Sequence, residues 1–147
     1  MLIEGIVNIN APRDRVWKSL TDAEFVAQCA PGVKSMEVVV PNQKFQVVAV
    51  VGFGSVSSEF RTDVEFLELV EPDSATIKAH GSGSGSAVDV TAKMELSDAP
   101  GGATQLKWTA DITIVGTIAS LASRLMAPVT KKMTGVFFDC VKAKLEA

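Results

Sequence analysis

Residues that could do chemistry are few in this chain and are not grouped. His80 is the only histidine, and it shares the polar face of a strand-like segment with Ser74, Thr76 and Lys78. A general base or a metal ligand needs partner side chains, and no Cys, His or carboxylate cluster with ligand spacing lies near it in the sequence. We therefore expect a solvated histidine, no metal site and no catalytic residue.

The carboxylates on the predicted strands have the pattern of a charged surface. Asp89 and Glu95 fall on one face of a strand, and the acidic residues between 59 and 65 share an outward face with Arg61. Exposed charge ladders of this kind contribute little to stability and need no catalytic explanation. We expect all of them to lie in solvent.

A glycine-rich segment, GSGSGS at residues 81–86, is the one stretch that resembles a cofactor motif. A loop that binds phosphates opens a helix, whereas this one leads into the alternating, strand-like residues 88–94. We interpret it as a mobile hairpin connection and expect no cofactor.

The two cysteines, Cys29 and Cys140, lie far apart in the sequence. The first residues show neither the basic region nor the apolar region of a signal peptide, which favours a reducing cytoplasm. We expect two buried free thiols, with a single disulfide as the alternative.

Length and composition favour one globular domain over residues 1–147. The chain has 147 residues, of which 47% are hydrophobic and 21% charged, so it can bury a core and disorder is excluded. A net charge of −3 offers nothing to a polyanion, which excludes nucleic acid as a partner. Apolar runs such as residues 47–51 are far shorter than the ~20 residues of a membrane span, so any membrane contact is expected to be peripheral.

Period-two and helical patterns predict the order of elements. A first strand runs from Leu2 to Asn10, and Asn10 is expected to cap a helix that contains Trp17 and Leu20. Thr21 or Asp22 caps a second helix over residues 23–29. Six strands follow between residues 33 and 114, with alternation clearest over 105–114.

The last segment, residues 117–147, predicts one long amphipathic helix. Pro128 and Gly135 lie inside it, so we expect a bend or a loose turn there. The elements therefore indicate an α+β fold in which a seven-stranded, curved antiparallel sheet folds around a long C-terminal helix, with two short helices after the first strand.

Apolar residues that face one another across this arrangement predict a cavity. Ala92, Ala110 and Ala122 are too small to fill the space between a wide curved sheet and one helix, so a void is expected. Core packing is the competing interpretation for each larger residue, above all for Trp17. The residues that we expect to line the cavity or its entrance are Phe25, Val26, Phe53, Phe60, Val64, Met94, Trp108, Ala110, Leu121, Leu125, Val129 and Met133.

The expected entrance lies at Phe25, Val26 and Phe53. Phe53 has a glycine on each side, so the tip of its turn can move. An aromatic residue at such a tip acts as a lid, as a wedge in a membrane surface, or as a buttress folded onto the core, and the sequence does not separate these three.

Several strings in the chain, together with the order of elements, resemble the CoxG family of carbon monoxide dehydrogenase subunits, within the START/Bet v 1-like (SRPBCC) superfamily. They are APRDRVW at residues 11–17 with Leu20 and Asp22, CAPG at 29–32, residues 52–60, GTIASLASRL at 116–125, and the phenylalanine pair 137–138.

The resemblance implies a helix-grip fold with a hydrophobic cavity and no catalytic residues. It implies a non-enzymatic accessory protein of a CO dehydrogenase-like molybdenum hydroxylase, which carries a quinone or lipid and delivers it or docks the enzyme at the inner face of the membrane. The alternatives are an assembly or docking module without a ligand, and an enzyme acting on small apolar molecules.

Overall fold

The order of elements follows the sequence pattern closely. The computed structural model describes residues 1–53, 56–83 and 85–146. Within these residues the elements are β1 (Leu2–Ile9), α1 (Arg13–Leu20), α2 (Ala23–Cys29), β2 (Val33–Val40), β3 (Lys44–Phe53), β4 (Val56–Val70), β5 (Ser74–Gly83), β6 (Ser86–Ala99), β7 (Ala103–Gly116) and α3 (Ala119–Leu145).

The seven described strands form one antiparallel sheet in the order β1-β7-β6-β5-β4-β3-β2. Strands β2 to β7 are sequential neighbours, which is the expected meander, and β1 pairs with β7 so that Gly5 lies opposite Trp108. Alternation produces one buried and one exposed face: Leu106 and Ala110 are buried, whereas Lys107 and Asp111 are exposed. The predicted α+β fold is confirmed.

The two short helices close one end of the sheet. Asp22 accepts a hydrogen bond from the Glu24 amide at 3.0 Å and caps α2, which was one of the two expected caps. The expected cap of α1 is wrong: the N-cap is Pro12, without a side-chain bond, so Asn10 lies two residues too early. The Asn10 amide instead donates to a carboxylate oxygen of Glu146 at 2.9 Å.

Helix α3 has 27 residues and is continuous across Pro128 and Gly135, so the expected loose turn is wrong, and the alternative, a bend, stays a prediction. Both residues lie on the exposed side of the helix. Water there can reach the carbonyl group that the proline leaves without its intrahelical hydrogen bond, which reduces the cost of the interruption.

In the part of the chain that the structure describes, buried apolar residues form three separate clusters rather than one continuous core. The first packs α1 and the C-terminal end of α3 against β1 and β7 through Ile9, Val16, Leu106 and Val141, each at most 1% exposed. The second joins Phe60 to the N-terminal half of α3, and the third surrounds Phe45, Val64 and Phe66. Solid packing is thus concentrated at the α1 end.

A disulfide joins Cys29 at the end of α2 to Cys140 in α3, with the two Cα atoms 5.4 Å apart. The expectation of two free thiols is therefore wrong, and the alternative that the sequence left open is correct. The pairing depends on α2 lying against α3, which brings together residues 111 positions apart. A sequence separation of that size gives no local sign of the contact.

Opening this disulfide is expected to lower the free energy of unfolding by about 2–5 kcal/mol, because the unfolded chain loses a cross-link that closes a very long loop. Urea unfolding with and without a dithiol reductant measures the change. The Cys140→Ala variant is the control, since the reductant should not affect it. Equal stability of the oxidised and reduced wild-type protein would contradict the assignment.

Candidate functional site

The main pocket lies between the inner face of the sheet and the middle of α3, and has a volume of about 310 Å³. It is partly open to the outside. Its lining consists of Ile3, Ala49, Val51, Phe60, Thr62, Ala79, Gly81, Val88, Val90, Ile112, Ile114, Met126, Val129, Thr130, Met133 and Thr134.

Small residues at neighbouring positions of the central strands leave this space. Ala79 on β5 pairs with Val90 on β6, and Gly81 on β5 pairs with Thr62 on β4. All of these residues face α3 because side chains alternate along each strand. Since the alanine and glycine side chains end far short of the helix, the two layers do not close onto each other there.

The chemistry of the main pocket is apolar and uncharged. Among the described residues that line it, the only polar side chains are those of Thr62, Thr130 and Thr134. A charged ligand would lose its hydration without gaining an opposite charge, which is strongly unfavourable. The pocket therefore favours neutral, largely hydrocarbon molecules.

A second space, the Trp108 pocket, lies nearer α1 and α2 and has a volume of about 240 Å³. Thr134 lines both pockets, so they are neighbours along α3. Phe137 and Phe138 form part of the wall, with their rings edge to face at a centroid distance of 5.1 Å. The remaining lining residues are Leu20, Val26, Phe66, Ala75, Ile77, Ala92, Lys93, Met94, Leu106 and Trp108.

The residues predicted to line a cavity divide between these pockets and the packed clusters. Phe60, Val129 and Met133 line the main pocket. Val26, Met94 and Trp108 line the Trp108 pocket. The side chain of Phe53 lies outside the described residues, so the three interpretations of that residue stay open.

Five of the predicted residues line neither pocket: Phe25, Val64, Ala110, Leu121 and Leu125. Phe25 packs on the cluster at the end of α3, where the Lys144 ammonium lies 5.9 Å from its ring centre. Val64 belongs to the cluster around Phe45, and Leu121 and Leu125 pack beside Phe60. Ala110 is buried on β7 with 8% exposure.

Sequence reasoning missed the threonines and the small residues of the main pocket. Thr62 stands at an inward position of β4, between Phe60 and Val64, where the alternation predicts an apolar side chain. A hydroxyl at a position where an apolar side chain is expected is the signal by which Thr62 could have been found. Ala49, Ala79 and Gly81 become informative only when the strand register places them side by side.

His80 lies on the outer face of the sheet, away from both pockets. Its Nδ1 atom is 2.6 Å from a carboxylate oxygen of Asp89 on the next strand, and both side chains are about half exposed, at 53% and 56%. This agrees with the expected solvated histidine. Within the described part of the chain, no group of three His, Cys, Asp or Glu side chains is arranged to hold a metal ion.

A helix that crosses a bilayer needs about 20 mostly apolar residues. None of the described helices is both long and apolar enough to cross a membrane.

A curved antiparallel sheet around a long C-terminal helix, with two short helices after the first strand, is the helix-grip fold of START/Bet v 1-like proteins. Similar solved structures include a conserved protein from Geobacillus kaustophilus (TM-score 0.91, 20% identity, 99% of this chain and 95% of that chain covered). Also similar is an aromatase/cyclase from Streptomyces sp. R1128 (TM-score 0.75, 16% identity, 99% of this chain and 93% of that chain covered). A START superfamily protein from Mycobacterium smegmatis is similar as well (TM-score 0.69, 12% identity, 99% of this chain and 97% of that chain covered).

Within this class, the family model of the carbon monoxide dehydrogenase G subunit (CoxG) matches residues 5–146. The chain therefore belongs to the CoxG family. No curated protein sequence matches it significantly.

The position of Trp108 in the wall of its pocket depends on Gly5. A Cβ atom at Gly5 would lie 2.7 Å from the indole Nε1 atom and 2.8 Å from two of its ring carbons. The absence of a side chain on β1 thus lets the indole ring lie against the neighbouring strand.

Gly5→Ala is expected to displace the Trp108 ring and to lower the free energy of unfolding by about 1–3 kcal/mol through overpacking. Urea unfolding and tryptophan fluorescence measure the two effects. Gly52→Ala is the matched control on another strand, because a Cβ atom there meets nothing within 4 Å. If the two variants behave alike, the contact does not position the ring.

Proposed function

We propose that the chain is a non-enzymatic carrier of an uncharged, largely hydrocarbon small molecule, an isoprenoid quinone or a similar lipid, held between the sheet and α3. The observation that carries this proposal is the main pocket: about 310 Å³ of space whose described lining residues are all uncharged. Ligand pockets of this type start at about 300 Å³.

Burial of hydrocarbon supplies the affinity in this proposal. Each CH₂ group removed from water contributes about 0.8 kcal/mol, so one five-carbon isoprenoid unit contributes about 4 kcal/mol. A hydrogen bond formed in the pocket adds only about 1 kcal/mol, net of the bond that it replaces in water. The length of the apolar tail therefore sets how tightly the ligand binds.

The family name supports the choice of partner. The CoxG family is described as a subunit of carbon monoxide dehydrogenase. We infer that this chain acts beside a CO dehydrogenase-like molybdenum hydroxylase at the inner face of the membrane. It either presents its ligand to that enzyme or docks the enzyme there.

A catalytic role is the less favoured alternative. The aromatase/cyclase shares only the fold with this chain, and a fold hosts unrelated activities. General acid–base chemistry needs a titratable group within reach of the ligand. The lining of the main pocket offers threonine hydroxyls and, in the described residues, no carboxylate, imidazole or amine.

Native mass spectrometry of the protein purified from its own host is expected to show a stoichiometric apolar guest. Ala79→Leu should reduce the occupancy several-fold, because the added side chain fills the main pocket. Ala87→Leu is the matched control, an alanine on the adjacent strand that lines neither pocket. A guest-free protein, or equal occupancy in the two variants, would contradict the carrier proposal.

The same variant separates the carrier from a docking module without a ligand. If Ala79→Leu loses the guest, still binds the partner enzyme and supports its activity fully, the docking interpretation is correct. If activity falls together with occupancy, the ligand is required.

A further inference from the structure

We propose that Thr62 on β4 and Thr130 on α3 form a polar subsite in the main pocket, which binds the carbonyl end of a neutral ketone or quinone. The inference rests on the proposed carrier function and adds to it the orientation of the ligand: the carbonyl lies between the sheet and the middle of the helix. It also names the group that the pocket selects.

The hydroxyl of Thr62 has no protein partner among the described residues. Its side chain is partly buried, faces the main pocket and makes no hydrogen bond to any residue that the structure describes. No fully buried side-chain nitrogen or oxygen of the described residues lacks a partner, so this hydroxyl must reach open space. The open space beside it is the main pocket.

Gly81 provides room for this hydroxyl. The two residues are cross-strand partners, and a Cβ atom at Gly81 would lie 2.8 Å from Oγ1 of Thr62. Any other residue at this position would push against the hydroxyl. The sheet therefore holds a polar atom at an inward position and leaves space around it.

Thr130 presents a second free hydroxyl from the opposite wall. A helical threonine commonly satisfies its hydroxyl by bonding to the carbonyl group four residues earlier. Thr134 does this, donating to the Thr130 carbonyl at 2.8 Å. Thr130 makes no such bond to a described residue, although it is partly buried and lines the pocket.

These features select the chemistry of the ligand. Each hydroxyl can donate one hydrogen bond, and a carbonyl oxygen has two lone pairs to accept them. A carboxylate or phosphate would also accept these bonds, but no positive side chain among the described lining residues of the main pocket compensates its charge. A neutral carbonyl on an apolar body satisfies both hydroxyls and the hydrocarbon wall.

The test compares a quinone with its hydrocarbon counterpart. We choose 2-methyl-1,4-naphthoquinone and 2-methylnaphthalene, titrated into the delipidated full chain and followed by calorimetry. The wild-type protein is expected to bind both ligands, and the contribution of the subsite to quinone binding is read from the ratio of the two affinities. Thr62→Val and Thr130→Val should each weaken quinone binding about five-fold, while leaving hydrocarbon binding equal or tighter.

Three control variants test whether the effect belongs to the hydroxyl groups of Thr62 and Thr130. Thr113→Val, on the exposed outer face of β7, should leave both affinities as in the wild type. Thr62→Ser keeps the hydroxyl and should retain the wild-type ratio of the two affinities. Thr134→Val should change both affinities by the same factor, because its hydroxyl is already satisfied within the helix.

The outcomes separate this inference from the carrier proposal. If both ligands bind but Thr62→Val and Thr130→Val leave their affinity ratio unchanged, the subsite is wrong and the carrier stands. If the delipidated wild-type protein binds neither ligand, the carrier proposal fails and the subsite with it. Urea unfolding of each variant confirms that the comparison is made on folded protein.

Discussion

One long helix, α3, covers most of the inner face of a seven-stranded sheet. The helix is much narrower than the sheet, and this difference in width determines how the two layers pack. Seven strands about 4.8 Å apart would span roughly 29 Å if the sheet were flat, whereas a helix with its side chains is about 10–12 Å across. The sheet must therefore curve around α3 to bury its apolar side chains. Curvature brings the layers into contact over part of the face and leaves space over the rest.

The distribution of large and small residues decides which part is solid. At the α1 end, Ile9, Val16 and Val141 are fully buried, and the disulfide between Cys29 and Cys140 ties α2 to α3. Along the middle of α3, between residues 126 and 134, alanine and glycine on β3 and β5 face the helix, and the space remains open. The molecule thus combines a closely packed, disulfide-linked end with open space along the middle of α3.

Most of the fold could be predicted from the sequence, because alternation, helical periodicity and the Asp22 cap are local signals. The residues that line the pocket were harder to predict, since the register of neighbouring strands decides which inward residues meet. Ala110 and Leu125 were expected to line the cavity and lie outside both pockets, whereas Ala79 and Thr62 line it. The disulfide could not be predicted for a similar reason, because it depends on a contact between two helices that lie far apart in the sequence.

The most direct test of this account is a crystal structure of the delipidated protein under xenon pressure, because xenon enters apolar cavities that water leaves empty. The account predicts a xenon peak between the sheet and α3, within the wall formed by Val51, Ile112 and Val129. Interior density with Met126 and Met133 filling that space, and no xenon between the layers, would contradict it.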